Sequence, residues 1–367
     1  MTSRLQRDLE QTVESTNDSR VWANAMCRLA LLSARQGESN QALRSIGKVR
    51  ERFGNSLDAE TAAWLMLAEG VLSFYSRGDL IASADRLRRS YGIASALCAD
   101  SAKPTCAAWL AHLALNTRRF DDMIPLLREA LTLAAANDHQ ARGRASLVLA
   151  DGFHYAGRFD LARPWYEKAR LHATAEGDET SVSAMLHNVA AFRTANVRLA
   201  DALGERLPIE AKRAAMEAAS ALAYDQAIGT RSLGEYLPHV NEQLLIVERN
   251  YGDAIRQLAG IDAAGLPARV HAVHYADHAT CAYETGDSDL AKRLWISALD
   301  ALEKVAMDPD DVAYVCCRLA ALFARNGESQ RAAGMQTRGA AAIAKHQELQ
   351  LKLTSSLSAL VTELAAT

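Results

Sequence analysis

The segment from Cys27 to Ser39 reads CRLALLSARQGES, and the segment from Cys317 to Ser329 reads CRLAALFARNGES. Ten of the thirteen positions are identical, although the two segments begin 290 residues apart. A chain of 367 residues has the length of two or three ordinary domains, but repeat proteins grow by stacking and do not follow that rule. The duplicated segment therefore makes an internal repeat the first hypothesis for the fold.

The end of the segment, a short turn followed five residues later by a small residue, recurs along the chain. The turns stand at Gly37, Gly78, Arg118, Gly157, Arg249, Gly286 and Gly327. The copy at Gly78 has serine instead of alanine, and the copies at Arg118 and Arg249 lack the glycine. The steps between these positions are 41, 40, 39, 92, 37 and 41 residues. Since the step of 92 is two units long, an eighth, divergent unit is predicted near residues 180–228.

The pattern inside each unit is helical. Apolar residues recur at three- and four-residue spacing almost everywhere, and alanine and leucine, both good helix formers, dominate. Runs of alternating β-branched residues are few. Five prolines follow loop-like stretches and are predicted to begin helices: Pro104, Pro208, Pro238, Pro267 and Pro309. The chain is predicted to be all-α, with about eight helix pairs.

These units resemble the tetratricopeptide repeat. The fourth unit shows the resemblance best, with Ala150, Gly157, Phe159, Ala162 and Ala169 at the positions where that family places small residues, a turn glycine and an aromatic ring. The resemblance implies an α-α superhelix, a TPR-like solenoid. The period is near 40 residues rather than 34, which is similar to the repeat regions of bacterial signalling and transcription regulators.

The ends of the chain are predicted to differ from its middle. Residues 1–16 are predicted as a lead-in helix, 17–345 as the helical solenoid and 346–367 as a C-terminal helix. The last segment carries a narrow leucine stripe at Leu349, Leu353, Leu357, Leu360 and Leu364. Such a stripe suits a helix that caps the apolar face of the last repeat. The alternative is a coiled-coil seam that forms a homodimer or leads into an output domain.

Charge and hydropathy exclude several classes of partner. Forty-one basic residues face 44 acidic ones, and a net charge of −3 gives no reason to expect nucleic acid or an anionic membrane as the partner. The sequence has no run of 18 apolar residues, and its first 20 residues lack the apolar core of a signal peptide. A cytoplasmic location is therefore expected. Common phosphate-loop, dinucleotide, nucleophile-elbow and HExxH motifs are absent, so neither an enzyme nor a cofactor is predicted.

One histidine cluster has the residue types and spacing of a candidate metal site. His274, His278 and Cys281 are spaced by four and three residues, so that a helix would project them from one face. His278 falls where the repeat normally packs a leucine, and Cys281 lies on a packing face. Core positions explain both residues, and no metal is predicted.

The resemblance also implies a binding surface, because the first helix of each tetratricopeptide unit lines the concave side. The positions so implied are Arg28, Arg35, Tyr75, Trp109, His112, Asn116, Arg144, Asp151, His154, Tyr155, His187, Asn188, Asp277, Tyr283, Arg318 and Arg325. Aromatic rings beside arginine, aspartate and asparagine suit recognition of a peptide or a small polar ligand. The part from Trp109 to Asn188 is the richest in such residues.

Four arginines of the duplicated segment need an explanation of their own. Arg28 and Arg35, like Arg318 and Arg325, stand seven residues apart, two turns along one helix face. Packing does not demand arginine at these positions. Three alternatives remain open: the side chains are solvated, they pair with acidic neighbours, or they frame the ends of a binding groove.

The function predicted from these features is a non-catalytic scaffold that captures a protein segment or peptide along its concave surface. The alternative is a sensory module of a bacterial signalling protein, of the diguanylate cyclase or transcription-activator type, whose output domain is absent from this chain. In that alternative a small-molecule effector or a partner protein supplies the input.

Overall fold

A computed structural model describes residues 2–54, 56–77, 79–230, 237–263 and 266–366. Within these ranges the chain forms seventeen α-helices and no strand. The helices are α1 (Arg4–Ser15), α2 (Ser19–Arg35), α3 (Ser39–Phe53), α4 (Ala59–Arg77), α5 (Leu80–Ala96), α6 (Lys103–Asn116), α7 (Phe120–Leu133), α8 (His139–Tyr155), α9 (Phe159–Glu176), α10 (Glu179–Ala202), α11 (Pro208–Ile228), α12 (Leu237–Val247), α13 (Tyr251–Ala259), α14 (His271–Glu284), α15 (Ser288–Lys304), α16 (Pro309–Arg325) and α17 (Ser329–Ala366).

The helices after α1 follow one another as eight successive pairs. Within a pair the two helices pack together, as α2 does on α3, α8 on α9 and α14 on α15. The first helix of a pair also packs on the first helix of a neighbouring pair, as α2 does on α4, α6 on α8 and α14 on α16. The predicted fold class, an all-α repeat fold of the tetratricopeptide type with about eight helix pairs, is confirmed.

The turns between paired helices stand where the repeat predicts them. Gly37, Gly157, Gly286 and Gly327 all have positive φ angles, between 72° and 91°. Arg118 and Arg249, which replace the glycine in two units, adopt the same left-handed region with φ of 56° and 66°. A residue with a Cβ rarely enters this region, so the turn geometry is imposed by the repeat rather than by glycine itself. Gly78, the remaining predicted turn, lies outside the described residues.

The positions of the divergent unit and of the helix-starting prolines also agree with the predictions from the sequence. Helices α10 and α11 fill residues 179–228, where the extra unit was predicted. Pro208 and Pro309 are the first residues of their helices, and Pro104 and Pro238 are the second. Pro267 precedes a 3-10 turn at Ala268–Val270. Proline is tolerated at these positions because the first amides of a helix have no intrahelical acceptor.

The chain divides into two compact units. The first comprises Met1–Leu186, Ala223–Gly234 and Leu353–Thr367, and the second comprises His187–Leu222 and Glu235–Lys352. The core of the first unit is rich in alanine and leucine and includes Trp64 and Trp109. The core of the second unit centres on Trp295, Tyr314 and Phe323. None of the described helices carries a stretch long and apolar enough to cross a membrane.

The middle of the C-terminal leucine stripe is buried, whereas Leu349 and Leu364 at its ends are half-buried. Leu353, Leu357 and Leu360 are each at most 1% exposed. In the first unit, Leu357 packs on α8, where its Cδ1 atom lies 3.0 Å from the position that a Cβ on Gly152 would take. The predicted boundary at residue 345 falls inside α17, which is continuous from Ser329 to Ala366. The division into lead-in, solenoid and C-terminal segments, like the homodimer, stays a prediction.

Candidate functional site

Most of the predicted groove residues are buried. Ten of the sixteen belong to this class: Arg35, Trp109, His112, Arg144, Asp151, His154, Tyr155, His187, Asp277 and Arg318. Arg28, Tyr75, Asn116, Asn188 and Tyr283 are half-buried, and Arg325 is exposed. His187 and Asn188 lie in α10 and, with Asp277, Tyr283, Arg318 and Arg325, belong to the second unit. Whether these residues form a binding groove stays a prediction.

In the first unit the burial has a local cause, because α1 and α2 contact the turn between α9 and α10. The backbone amide of Leu5 donates to the carbonyl of Gly177 across 3.2 Å. The guanidinium of Arg35 forms two hydrogen bonds to the carboxylate of Asp178, at 2.8 and 3.1 Å. Asp178 also accepts from the backbone amide of Ser181, so it caps α10 while it binds α2. The first repeat is thus linked to the fourth and fifth, and the inner side chains between them are enclosed.

The four arginines of the duplicated segment all have acidic partners. The pairs are Arg28 with Glu176, Arg35 with Asp178, Arg318 with Asp201 and Arg325 with Glu284. The Arg35 pair is buried, with side chains 4% and 8% exposed, whereas the Arg325 side chain is 49% exposed. Of the three alternatives that the sequence left open, the structure therefore favours ion pairing.

The inner helices of the first unit meet at Trp109. The guanidinium carbon of Arg144, on α8, lies 4.0 Å from the centre of the indole ring. The ring of His112, one turn further along α6, lies 5.5 Å from the indole in an edge-to-face arrangement. Tyr75 of α4 contributes a third ring at 6.4 Å. Three helices thus bring an aromatic wall, a cation and an imidazole to one place.

Arg144 has no ionic or hydrogen-bonded partner among the described residues. Its side chain is enclosed, with the residue 5% exposed, and its Nη1 atom is buried with no acceptor. Burial and the nearby Arg35 guanidinium lower the pKa of Arg144 to about 10. The side chain therefore remains charged at neutral pH. A buried guanidinium without a carboxylate is costly, since desolvation is not offset by an ion pair.

His112 also has an unfilled hydrogen-bonding position. The side-chain amide of Asn116 lies 3.3 Å from the Nε2 atom of His112, whereas the Nδ1 atom is buried with no partner. Burial, together with Arg144 and Arg35, lowers the pKa of His112 to about 3. The imidazole is therefore neutral at physiological pH, and one of its nitrogens carries a proton.

The other predicted residues of α8 make contacts inside the first unit. The hydroxyl of Tyr166 donates to the Oδ1 atom of Asp151 at 2.8 Å, and the Nδ1 atom of His154 lies 3.1 Å from the same hydroxyl. Tyr155 packs on Phe120, with ring centres 5.7 Å apart. Asp151 and His154 thus meet at the Tyr166 hydroxyl inside the unit, and whether these residues take part in a binding groove stays a prediction.

The second unit contains a different buried cluster, centred on Asp277 and Glu242. Asp277 accepts a hydrogen bond from the hydroxyl of Tyr314, and Arg318 donates to the same hydroxyl at 3.2 Å and to Asp201 at 2.9 Å. Glu242, on α12, is fully buried, and neither of its carboxyl oxygens has a hydrogen-bond partner among the described residues. Burial and the neighbouring Asp277 raise the pKa of Glu242 well above its ordinary value. The two carboxyls therefore share a site that disfavours two negative charges.

The exposed end of that unit holds the last two predicted residues. The Tyr283 hydroxyl donates to the backbone carbonyl of Arg325 at 3.3 Å. The Arg325 guanidinium lies 4.5 Å from the centre of the Tyr283 ring. This surface contact fixes the end of α16 against α14.

The residues of the histidine cluster all lie on α14. No three histidine, cysteine or acidic side chains of the described residues are placed to hold a metal ion. The rings of His274 and His278 lie 6.0 Å apart, and Cys281 is buried. Burial raises the pKa of the Cys281 thiol, so the thiolate that a metal requires is disfavoured.

A separate polar cleft of about 270 Å³ opens near the end of α2. Amide, hydroxyl and carboxylate side chains line it, among them Gln6, Gln36, Gln41, Glu179 and Thr230. The cleft lies in the first unit, and Trp109 and Arg144 are not among its lining residues.

Two buried acidic residues with a part in these clusters, Asp178 and Glu242, are not among the residues predicted from the sequence. Asp178 stands in the run Gly-Asp-Glu-Thr, which signals a helix cap but not an ion pair with a residue 143 positions away. Glu242 stands in the apolar segment LPHVNEQLLIV, where an isolated acidic residue indicates a buried carboxyl. That second signal was available from the sequence.

Comparison with known proteins places the fold. No protein-family model matches the sequence, and no curated protein matches it significantly. A Rap protein complexed with competence and sporulation factor is similar in structure, with a TM-score of 0.54 and 12% identity over 94% of this chain and 92% of that one. The apo form of RapI has a TM-score of 0.48 and 13% identity over 93% and 92%. At such identity the likeness to the complexed Rap protein bears on the fold alone.

Proposed function

We propose that this chain is a non-catalytic scaffold that binds a peptide or protein segment against the inner helices of its first unit. The observation that carries the proposal is the pair of unfilled hydrogen-bonding positions beside Trp109, on Arg144 and His112. Buried polar groups are almost always satisfied, and a cluster of exceptions on an aromatic wall indicates a place for a ligand.

The fold supports this role. The Rap protein with a similar fold was crystallised in complex with competence and sporulation factor. A helical-repeat chain of this kind can therefore bind a ligand. In this chain the same class of fold gathers aromatic rings and a guanidinium from α4, α6 and α8. Aromatic residues and arginine are the side chains that contribute most to protein recognition.

Catalysis and cofactors are not part of the proposal. The buried Asp151, Tyr166 and His154 bond to one another and so belong to the internal hydrogen bonding of the first unit. The proposed place of action is the cytoplasm. A regulatory module of the signalling or transcription-activator type would use the same site, with the ligand as its input.

Access to the site requires a movement within the first unit. Trp109 and Arg144 are 2% and 5% exposed, so a ligand reaches them only when the inner helices separate. The contact that encloses them is the Arg35–Asp178 pair between α2 and the start of α10. Binding would therefore be coupled to the opening of this contact, which gives the scaffold a way to report occupancy.

The test is capture of peptides from a defined pool. Immobilised protein is incubated with a pool of short randomised peptides, and retained peptides are quantified by mass spectrometry. The wild type and Arg163→Met are expected to enrich the same subset, because Arg163 is a surface arginine, 73% exposed, paired with Glu167. Arg144→Met is expected to retain less of that subset. If the wild type enriches no peptide over the bare matrix, the proposed function is wrong.

A further inference from the structure

We infer that the group bound beside Trp109 is a carboxylate, held between the guanidinium of Arg144 and the Nδ1–H of His112. This inference rests on the proposed function and names the chemistry that the site recognises.

Arg144 lacks an ion pair of its own on the inner wall, whereas Arg35 has one. Arg35 is neutralised by Asp178, with which it forms two hydrogen bonds, and a third bond goes to the hydroxyl of Ser181. Asp151, an acidic residue of the same helix as Arg144, accepts a hydrogen bond from Tyr166. Asp178 and Asp151 favour the charged form of Arg144 from a distance, but among the described residues no acceptor bonds to its buried Nη1 atom. A ligand oxygen bonded to Nη1 would satisfy that donor.

The hydrogen-bond donors match a carboxylate. The Asn116 amide nitrogen can only donate, so the contact with His112 makes Nε2 the acceptor and places the ring proton on Nδ1. That Nδ1–H and the Nη1–H groups of Arg144 are two sets of buried donors with no acceptor, and both residues flank the same indole. A carboxylate offers two oxygens, one for each partner, and matches the planar fork of a guanidinium.

The site also discriminates between anions. The imidazole is neutral and the Asp178 and Asp151 carboxylates already act on Arg144, so a dianionic phosphate would bring one more buried negative charge than a carboxylate does. Within a peptide, a carboxylate comes either from the C-terminus or from an aspartate or glutamate side chain. Both sources share the same chemistry, and the experiment separates them.

The first experiment measures binding with two matched peptide pools. Both pools omit aspartate and glutamate, and one ends in a free carboxylate while the other ends in a carboxamide. A third, amidated pool restores aspartate and glutamate. The wild type is expected to retain either the free-acid pool or the acidic-side-chain pool about ten- to a hundredfold better than the neutral amide pool, the range of a charged hydrogen bond. Arg144→Met should remove that preference, and Arg163→Met should keep it.

The second experiment needs no peptide and therefore separates this inference from the proposed function. Thermal unfolding of the wild type is followed in sodium formate and in sodium chloride at equal ionic strength. Formate should raise the melting temperature of the wild type and of Arg163→Met in a concentration-dependent way, and should not raise that of Arg144→Met. Arg144→Met should also melt no lower than the wild type in chloride, because it removes an unpaired buried charge.

The two experiments distinguish a failure of the proposed function from a failure of the carboxylate inference. Selective stabilisation by formate without peptide capture keeps the carboxylate site and overturns the peptide-binding proposal. Peptide capture with equal retention of all three pools keeps the proposed function and overturns the carboxylate. An equal response of the wild type and Arg144→Met to formate, or a lower melting temperature of Arg144→Met in chloride, assigns Arg144 to the core and overturns the inference.

Discussion

Two buried arginines of the first unit differ in what surrounds them. Arg35 and Arg144 both project from first helices of their repeat units, and both are about 5% exposed or less. Arg35 pairs with the carboxylate of Asp178, which caps α10, whereas Arg144 lies over the indole ring of Trp109. The first arrangement stabilises the unit, while the second leaves a charge unpaired. The sequence places both residues on first helices and cannot distinguish them, because the carboxylate partner of Arg35 comes from a distant repeat.

The Arg35–Asp178 pair is expected to dominate the stability of the first unit. Asp178→Asn leaves a buried guanidinium without its partner and should lower the free energy of unfolding by about 3–5 kcal/mol. Glu284→Gln removes the equivalent partner of the exposed Arg325 and should cost no more than about 1 kcal/mol. Chemical denaturation of the two variants gives both values. Equal losses would mean that burial does not set the strength of these pairs.

Glu242 is expected to make stability depend on pH. Because burial and Asp277 raise its pKa, the folded protein keeps the proton at pH values where the unfolded chain has released it. The contribution of Glu242 to stability is therefore full below about pH 4.5, the ordinary pKa of this carboxyl, and is lost as the pH rises toward the folded-state pKa. Glu242→Met should weaken this loss and add about 1–3 kcal/mol near pH 7.5. Denaturation at several pH values measures it, with the exposed Glu248→Met as control, and an unchanged slope in Glu242→Met would contradict the assignment.

At the scale of the helices, the sequence predicted most of what the structure shows. The turn positions were found from glycine and from the spacing, and Arg118 and Arg249 take the left-handed conformation where the spacing requires a turn. The divergent unit was located from a step of two repeat lengths, and it is filled by α10 and α11. These features are local, so a single chain suffices to predict them. The continuity of α17 was not predicted, because a leucine stripe does not show where its helix begins.

Gly177 is the turn residue expected to matter most. Its φ of 78° disfavours any side chain, and a Cβ there would lie 2.7 Å from the Cβ atom of Arg4. Gly177→Ala should therefore lower the free energy of unfolding by more than about 2 kcal/mol, since strain and a clash add. Gly286→Ala has the same backbone strain, with φ of 91°, but open space around it, and should cost about 1 kcal/mol. Denaturant titration compares the two. A similar loss in both variants would show that α1 does not dock tightly on this turn.

At the scale of the whole molecule, the sequence predicts that the candidate residues lie on the first helices of their pairs. It does not predict how deeply they are buried. The tetratricopeptide resemblance implies an open concave surface, and ten of the sixteen residues are instead buried. In the first unit the cause is the contact of α1 and α2 with the α9–α10 turn, which joins residues more than 140 positions apart. No periodicity or spacing encodes such a contact. The sequence therefore predicts which residues share a face, and only the structure shows whether that face is open.

The C-terminal leucines are expected to stabilise the chain that carries them. Leu357→Ala removes a fully buried side chain from the contact with α8 and should cost about 2–5 kcal/mol. Leu351→Ala, at a site 74% exposed, should change stability by less than about 0.5 kcal/mol. The melting temperatures should be independent of protein concentration. A concentration-dependent melting temperature, lost in Leu357→Ala, would instead support the coiled-coil dimer.

The central claim is that a ligand binds at the wall formed by Trp109, His112 and Arg144, and amide hydrogen exchange tests it most directly. Exchange is measured for the free protein and for the protein saturated with its best-retained peptide. Binding of the peptide at this wall should slow amide exchange in α6 and α8 and should change exchange little in α15 of the second unit. Protection confined to the polar cleft around Gln36 and Thr230, with α6 and α8 unchanged, would contradict it.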